Sequence, residues 1–174
     1  MSYHDKHGAN LSLLTRGQLD RWTKAVRNDR SYVVDRISHQ VSGEISKVWF
    51  ESYVYEAGKI GIRIHIALTV HNREEKSMLL LAHFGSVWSG GSIPLQDFNN
   101  LYRDSNGNVA TSINFSPMSD SSMYDDLILF IPYDELHLLP GYHNLQFVLG
   151  LYDTETQAYL ARTSYYGFFL YKAY

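Results

Sequence analysis

The chain has no cysteine, which removes disulfide frameworks, thiolate zinc sites and cysteine nucleophiles at once. It has only 4 prolines, 19% charged residues and a formal net charge of −3. No apolar run approaches the roughly 20 residues that a membrane-spanning helix needs. No Lys/Arg cluster with interleaved aromatics occurs, so the electrostatic footprint of a nucleic-acid partner is missing. The opening residues, MSYHDKHGANLSLL, put polar and charged side chains where a secretory leader needs an apolar core of about 7–15 residues. These absences lead to the expectation of a cytoplasmic protein with no nucleic-acid partner and no membrane span. There is no G-x-S-x-G elbow, no H-E-x-x-H helix and no Gly-rich phosphate loop. The chain is therefore expected not to be an enzyme, with no catalytic residue, cofactor or resident metal.

What is present favours strands. The 174 residues are enough for one domain with a full core, and 45% are hydrophobic. The 14 Tyr, 8 Phe and 3 Trp pack well on a pleated surface. Residues 127–152, LILFIPYDELHLLPGYHNLQFVLGLY, read as strand, turn-forming loop and strand, a hairpin at the middle of the core. Its second strand alternates, with His143, Leu145, Phe147, Leu149 and Leu151 on one face and Asn144 and Gln146 on the other. A period of two means one buried face.

Upstream, residues 45–55 form a strand, Ala57-Gly58-Lys59 a turn, and residues 60–70 a second strand. That strand sets Ile62, Ile64, Ile66, Leu68 and Val70 against Arg63, His65 and Thr69. Residues 77–87 follow, apolar enough over 78–82 for burial on both faces. The segment 88–108 is irregular, because Pro94 blocks a central strand and Asn106-Gly107 signals a tight turn. Strands resume at 109–115, 159–163 and 165–171. Roughly seven to nine strands at this turn spacing predict an all-β, two-sheet antiparallel β-sandwich of immunoglobulin-like or C2-like form over residues 31–174.

A flexible arm is expected over 1–14, where His4 and His7 are solvated. An amphipathic helix is expected over 15–30. Thr15 and Gln18 fit a capping box, and Leu19, Trp22 and Val26 form a narrow apolar stripe. It either packs across an open end of the sandwich or docks on another chain. Residues 32–34 could add an edge strand.

Several side chains invite chemistry. Leu138, Gly141, His143 and Leu145 form L-x-x-G-x-H-x-L, which puts a structural His143 where many sandwiches place a corner tyrosine that bonds upstream backbone. His137 lies across the turn, but spacing forces no third metal ligand beside the pair. His65 and His83 are expected on neighbouring strands, facing outward. Asp120, Asp125 and Asp126 in one loop, and Asp153 and Glu155 in another, raise calcium as an alternative. Tyr102, Tyr124, Tyr142, Tyr159 and Tyr165, read as surface rings, raise carbohydrate.

Two stretches, Gly61-Ile62-Arg63-Ile64-His65 and Phe130-Ile131-Pro132-Tyr133-Asp134-Glu135-Leu136-His137-Leu138 continuing through Gly141-Tyr142-His143-Asn144-Leu145, resemble poorly characterised bacterial β-sandwich accessory modules. Such modules occur alone and attached to larger signalling or peptidase-like chains. The likeness covers roughly residues 45–170 and implies a fold without a known active site.

The resulting expectation is a non-enzymatic interaction or assembly module whose partner is another protein chain or a second copy of itself. Its expected contacts are Leu19, Trp22 and Val26 on the helix and Tyr165, Phe169 and Tyr171 on the last strand. The alternative is a ligand-binding sandwich for calcium or carbohydrate. Static light scattering is expected to show an oligomer that Trp22→Ala weakens. A monomer at every concentration, with nothing captured in pull-downs, would remove the expectation.

Overall fold

A computed structural model describes residues 40–89 and 91–173. The expected arm, the helix with Leu19, Trp22 and Val26, and the edge strand at 32–34 lie outside the described residues. Within them the protein is all-β, built from β1 (Ser42–Glu56), β2 (Lys59–His71), β3 (Met78–Trp88), β4 (Gly91–Pro94), β5 (Ala110–Phe115), β6 (Ser121–Pro132), β7 (Gly141–Asp153), β8 (Ala158–Arg162) and β9 (Tyr166–Lys172). They form two antiparallel sheets. In the three-stranded sheet β2 lies between β1 and β6. In the six-stranded sheet β3 pairs with β7; β4 and β5 share the other edge of β3, and β8 and β9 share the other edge of β7.

Local sequence explains the first hairpin. Glu56 pairs with Lys59, leaving Ala57 and Gly58 as a two-residue loop. Both have positive φ, 49° and 82°, the backbone twist that two-residue hairpins require. On β2 the aliphatic stripe is completely buried: Ile62, Ile64, Ile66, Leu68 and Val70 expose no surface. It shares one core with Met78, Leu80, Ala82 and Phe84 of β3 and with Leu145, Phe147, Leu149 and Leu151 of β7. The two sheets therefore meet face to face, and the Phe50 ring of β1 touches Phe147 of β7 edge-on at 5.5 Å. Each such large side chain contributes about 1.5–3 kcal/mol on burial. Pro94 ends β4, an edge strand, as its missing N–H demands.

Three expectations are corrected. The strands within residues 127–152 are not a hairpin, because β6 pairs with β2 and β7 pairs with β3, β8 and β9. The chain between them makes a 3-10 turn, Tyr133–Leu136, that buries Tyr133, Glu135 and Leu136 and carries it from one sheet to the other. Glu135 is held there by Lys59 Nζ at 2.8 Å and by the Asn99 side-chain amide at 2.7 Å. Secondly, His65 and His83 do not stand on neighbouring strands; β2 and β3 belong to different sheets. Thirdly, Tyr102 and Tyr124 are not free surface rings, for both pack against the core, Tyr124 edge-on to Phe115 at 5.0 Å.

One buried ion pair ties the crossing from β2 to β3 onto the end of β7. Asp153 is fully buried, and its Oδ2 accepts hydrogen bonds from Arg73 Nε at 2.8 Å, from Arg73 Nη2 and from Thr156 Oγ1 at 2.7 Å. Its Oδ1 accepts the backbone N–H of Glu155 at 3.1 Å. Burial alone would push the Asp153 carboxyl up, but the bonds from Thr156 and Arg73 outweigh it and hold the group below its ordinary 3.8. Removing the cation would strand a buried carboxylate, so Arg73→Met is expected to lower the unfolding free energy by about 3–5 kcal/mol in urea denaturation. A carboxyl depressed by folding contributes stability that is complete above the unfolded value near 3.8 and fades as pH falls through the lower folded one. Stability measured below about pH 4 should therefore fall less steeply in Asp153→Asn than in the natural protein.

Candidate functional site

The alternation that buries Leu80, Ala82 and Phe84 turns Leu81 and His83 to the outer face of the six-stranded sheet. There His83 lies between Ala110 of β5 and Val148 of β7. The segment after β4 returns beside it through bridges between Gln96 and Asn108 and between Arg103 and Val109. Asp104 organises that return. Its Oδ1 accepts the backbone N–H groups of Asn106 and Asn108 at 2.8 and 2.9 Å. Its Oδ2 accepts the Asn108 side-chain amide at 3.1 Å and stands 3.2 Å from His83 Nδ1. Gly107, with φ of 86°, closes the turn by donating to the Asp104 carbonyl.

The opposite wall comes from β8 and the segment that follows it. Gly150 makes room for this wall, since a Cβ there would come within 2.5 Å of the Tyr159 ring. The Arg162 guanidinium covers that ring, 4.6 Å from its centre. Between the walls lie two adjoining hollows. One of about 290 Å³ is bounded by His83, Asp104, Asn106, Tyr159, Arg162 and Tyr165. The other, about 410 Å³, shares the first four of these and adds Tyr152 and Arg103.

Burial is the main reason the His83 imidazole is held below its ordinary 6.5; Arg162 adds to the effect and Asp104 opposes it. Burial would raise Asp104, but the hydrogen bonds from Asn108 and Asn106 hold it below 3.8. At neutral pH the pair is thus a neutral ring beside a carboxylate. The Asp104 carboxylate beside Nδ1 favours the proton on that nitrogen, which leaves Nε2 as the acceptor. The groove offers acceptors, donors and ring faces.

The expected site residues fall in different places. Tyr165 lines the groove, together with Tyr159. Phe169 and Tyr171 lie elsewhere, on β9, opposite Asn144 and Tyr142 of β7. Tyr142 and Phe169 are 88% and 79% exposed, and the rings of Tyr142 and Tyr171 are 4.7 Å apart. His143 Nε2 is 2.7 Å from the carbonyl oxygen of Leu139, four residues upstream, and Gly141 takes a φ of 135° at the strand start. His137 faces Asp97 at 3.2 Å. His65, on the other sheet, stacks on Trp49 at 5.0 Å and meets Asp126 at 2.8 Å. In the second acidic loop Arg73 sits on Asp153 and Lys76 on Glu155; the first is not a single loop, because Asp125 and Asp126 lie on β6 and only Asp120 precedes the strand. Among the described residues no group of three or more His, Asp or Glu side chains could hold a metal.

Asp104, Gly150, Tyr152 and Arg162 escape a reading of the sequence. The run Asp104-Ser105-Asn106-Gly107-Asn108 carried a usable signal, because an Asp two residues before an Asn-Gly turn bonds that turn's amides.

No protein-family model matches the chain, and no curated protein matches it. A solved structure described as the X-ray structure of Northeast Structural Genomics Consortium target SoR45 is similar at 12% identity, covering 78% of this chain and 89% of that one, with a TM-score of 0.23. A score that low carries no argument. Among the described residues no helix is long and apolar enough to cross a membrane.

A histidine whose folded value is lowered loses stability as pH falls from its unfolded value toward the folded one. Two-dimensional NMR titration should therefore find His83 with a midpoint below 6.5. Between that midpoint and pH 6.5, His83→Gln should remove part of the decline in stability.

Proposed function

We propose that this chain is a non-enzymatic assembly module that associates with a second copy of itself through the outer edge of β9. The observation that supports this most directly is the character of that edge. β9 carries no charged residue before Lys172 and no proline, and no other described strand pairs with its outer side. Edge strands that must stay single are normally blunted by such residues. Beside this edge the exposed rings of Phe169, Tyr171 and Tyr142 form a cluster, the residue types that anchor interface centres. Antiparallel pairing of two β9 strands about a two-fold axis would satisfy the open backbone edge and bring both ring clusters to the seam.

In this reading the two facing sheets are a sandwich of immunoglobulin-like or C2-like form, and the absence of cysteine suits a cytoplasmic setting. The stripe of Leu19, Trp22 and Val26 would add a second contact. Multi-angle light scattering of the full chain is expected to show a dimer at micromolar concentration. Phe169→Lys, which places a gatekeeper charge on the edge, should raise the dissociation constant at least about tenfold, a change of about 1.4 kcal/mol. A monomeric natural protein, or a dimer indifferent to Phe169→Lys and Tyr171→Lys together, would refute the proposal.

A further inference from the structure

The groove beside His83 is separate from the β9 ring cluster, and its chemistry narrows what it could hold. Among the residues bounding the smaller hollow, Asp104 and Arg162 carry opposite charges. A free anion would need a surplus of cations, and the one guanidinium here is balanced by a carboxylate. Arg103, at the second hollow, has its guanidinium engaged by the Asn100 side chain. A metal ion would need several free oxygens, whereas both oxygens of Asp104 already accept hydrogen bonds. A wholly apolar ligand would strip water from the Arg162 guanidinium and the polar edge of His83 and give nothing in return.

A ligand that suits all of these has hydroxyls on its edge and C–H groups on its face. Adjacent hydroxyls can donate to a carboxylate or an imidazole nitrogen and accept from a guanidinium. A flat C–H face can lie on a tyrosine ring. Tyr165 is 59% exposed at the mouth, and Tyr159 is held by Gly150 beneath it and Arg162 above it. The two hollows share His83, Asp104, Asn106 and Tyr159 and so adjoin, with about 290 and 410 Å³ on either side of these residues. Asp104 is fixed by three hydrogen bonds from its own turn, so an ordering cost is already met before a ligand arrives.

We propose that this groove is a binding site for a neutral oligosaccharide, with Tyr165 as the stacking platform, Tyr159 as the wall that holds Arg162 in place, and Asp104, Arg162 and His83 as the hydroxyl-reading groups. This site does not depend on self-association, and the two can fail separately.

The test is calorimetric titration of the full chain with cellohexaose, xylohexaose, mannohexaose and maltohexaose, and with a galacturonic acid hexamer as the charged counterpart. At least one neutral chain is expected to bind. Tyr165→Ala and Arg162→Gln should each weaken that binding about tenfold or more, while Phe169→Lys leaves it within about twofold. Tyr165 lies at the surface, so Tyr165→Ala should keep the natural melting temperature and report on binding alone. The proposal is overturned by any of three results: no heat and no rise in melting temperature with any neutral chain at about 10 mM, binding that survives both groove substitutions, or binding of the charged hexamer alone.

Discussion

Everything in this molecule follows from two sets of alternating apolar side chains that can be dried only against each other. β2 offers Ile62, Ile64, Ile66, Leu68 and Val70 from the three-stranded sheet, and β3 and β7 offer Met78, Leu80, Phe84, Phe147 and Leu149 from the other. A strand cannot bury such a stripe alone, and a one-residue slip would turn the whole set to water. Facing the two sheets therefore sets the parity of every strand. That parity also decides the outside: the positions between the core residues are what the protein presents. His83, Val148 and Gly150 reach one outer surface together because Ala82, Phe84, Leu149 and Leu151 are required inside.

Buried polar groups fix what the apolar layers leave loose. Asp153 with Arg73 and Thr156, Glu135 with Lys59 and Asn99, and Asp97 with His137 each join segments far apart in the chain. In each case the carboxylate is buried yet fully engaged, which is the condition under which burial of charge is tolerated. Each also pins a connection rather than a strand. The connections can then hold the groove's walls without any regular structure of their own, as the Asp104 turn does opposite β8.

The surplus of rings divides by location into different uses. Phe50, Phe84, Phe147 and Phe168 interlock edge-on and tilted inside the core. Tyr159 and Tyr165 line a groove that has charged and amide neighbours. Phe169 and Tyr171 stand on β9, an open-edged strand with few polar residues, and Tyr142 of β7 lies against Tyr171. Composition treats these as one quantity, whereas their surroundings separate rings in the core from rings along a groove and both from rings open to solvent.

The all-β character, the buried face of β2, the alternation of β7 and the Ala57-Gly58 turn were legible because each depends on neighbours in the chain, whereas the short β4 lies in a segment that reads as irregular chain. Period-two alternation names a strand's wet and dry sides, and a two-residue loop with positive φ forces its strands to pair. The partner of β6 was not legible. Alternation says nothing about which sheet a strand joins, and the 3-10 turn after Pro132 resembles any polar connection until Tyr133 and Leu136 are seen to be buried. The groove was hidden for the same reason: His83, Asp104 and Arg162 come from three segments that only the β3–β7–β8 order assembles. Sequence alone settled which side chains shun water, since that is written locally. Tertiary structure alone settled which outward side chains meet, because long-range strand pairing chooses the neighbours.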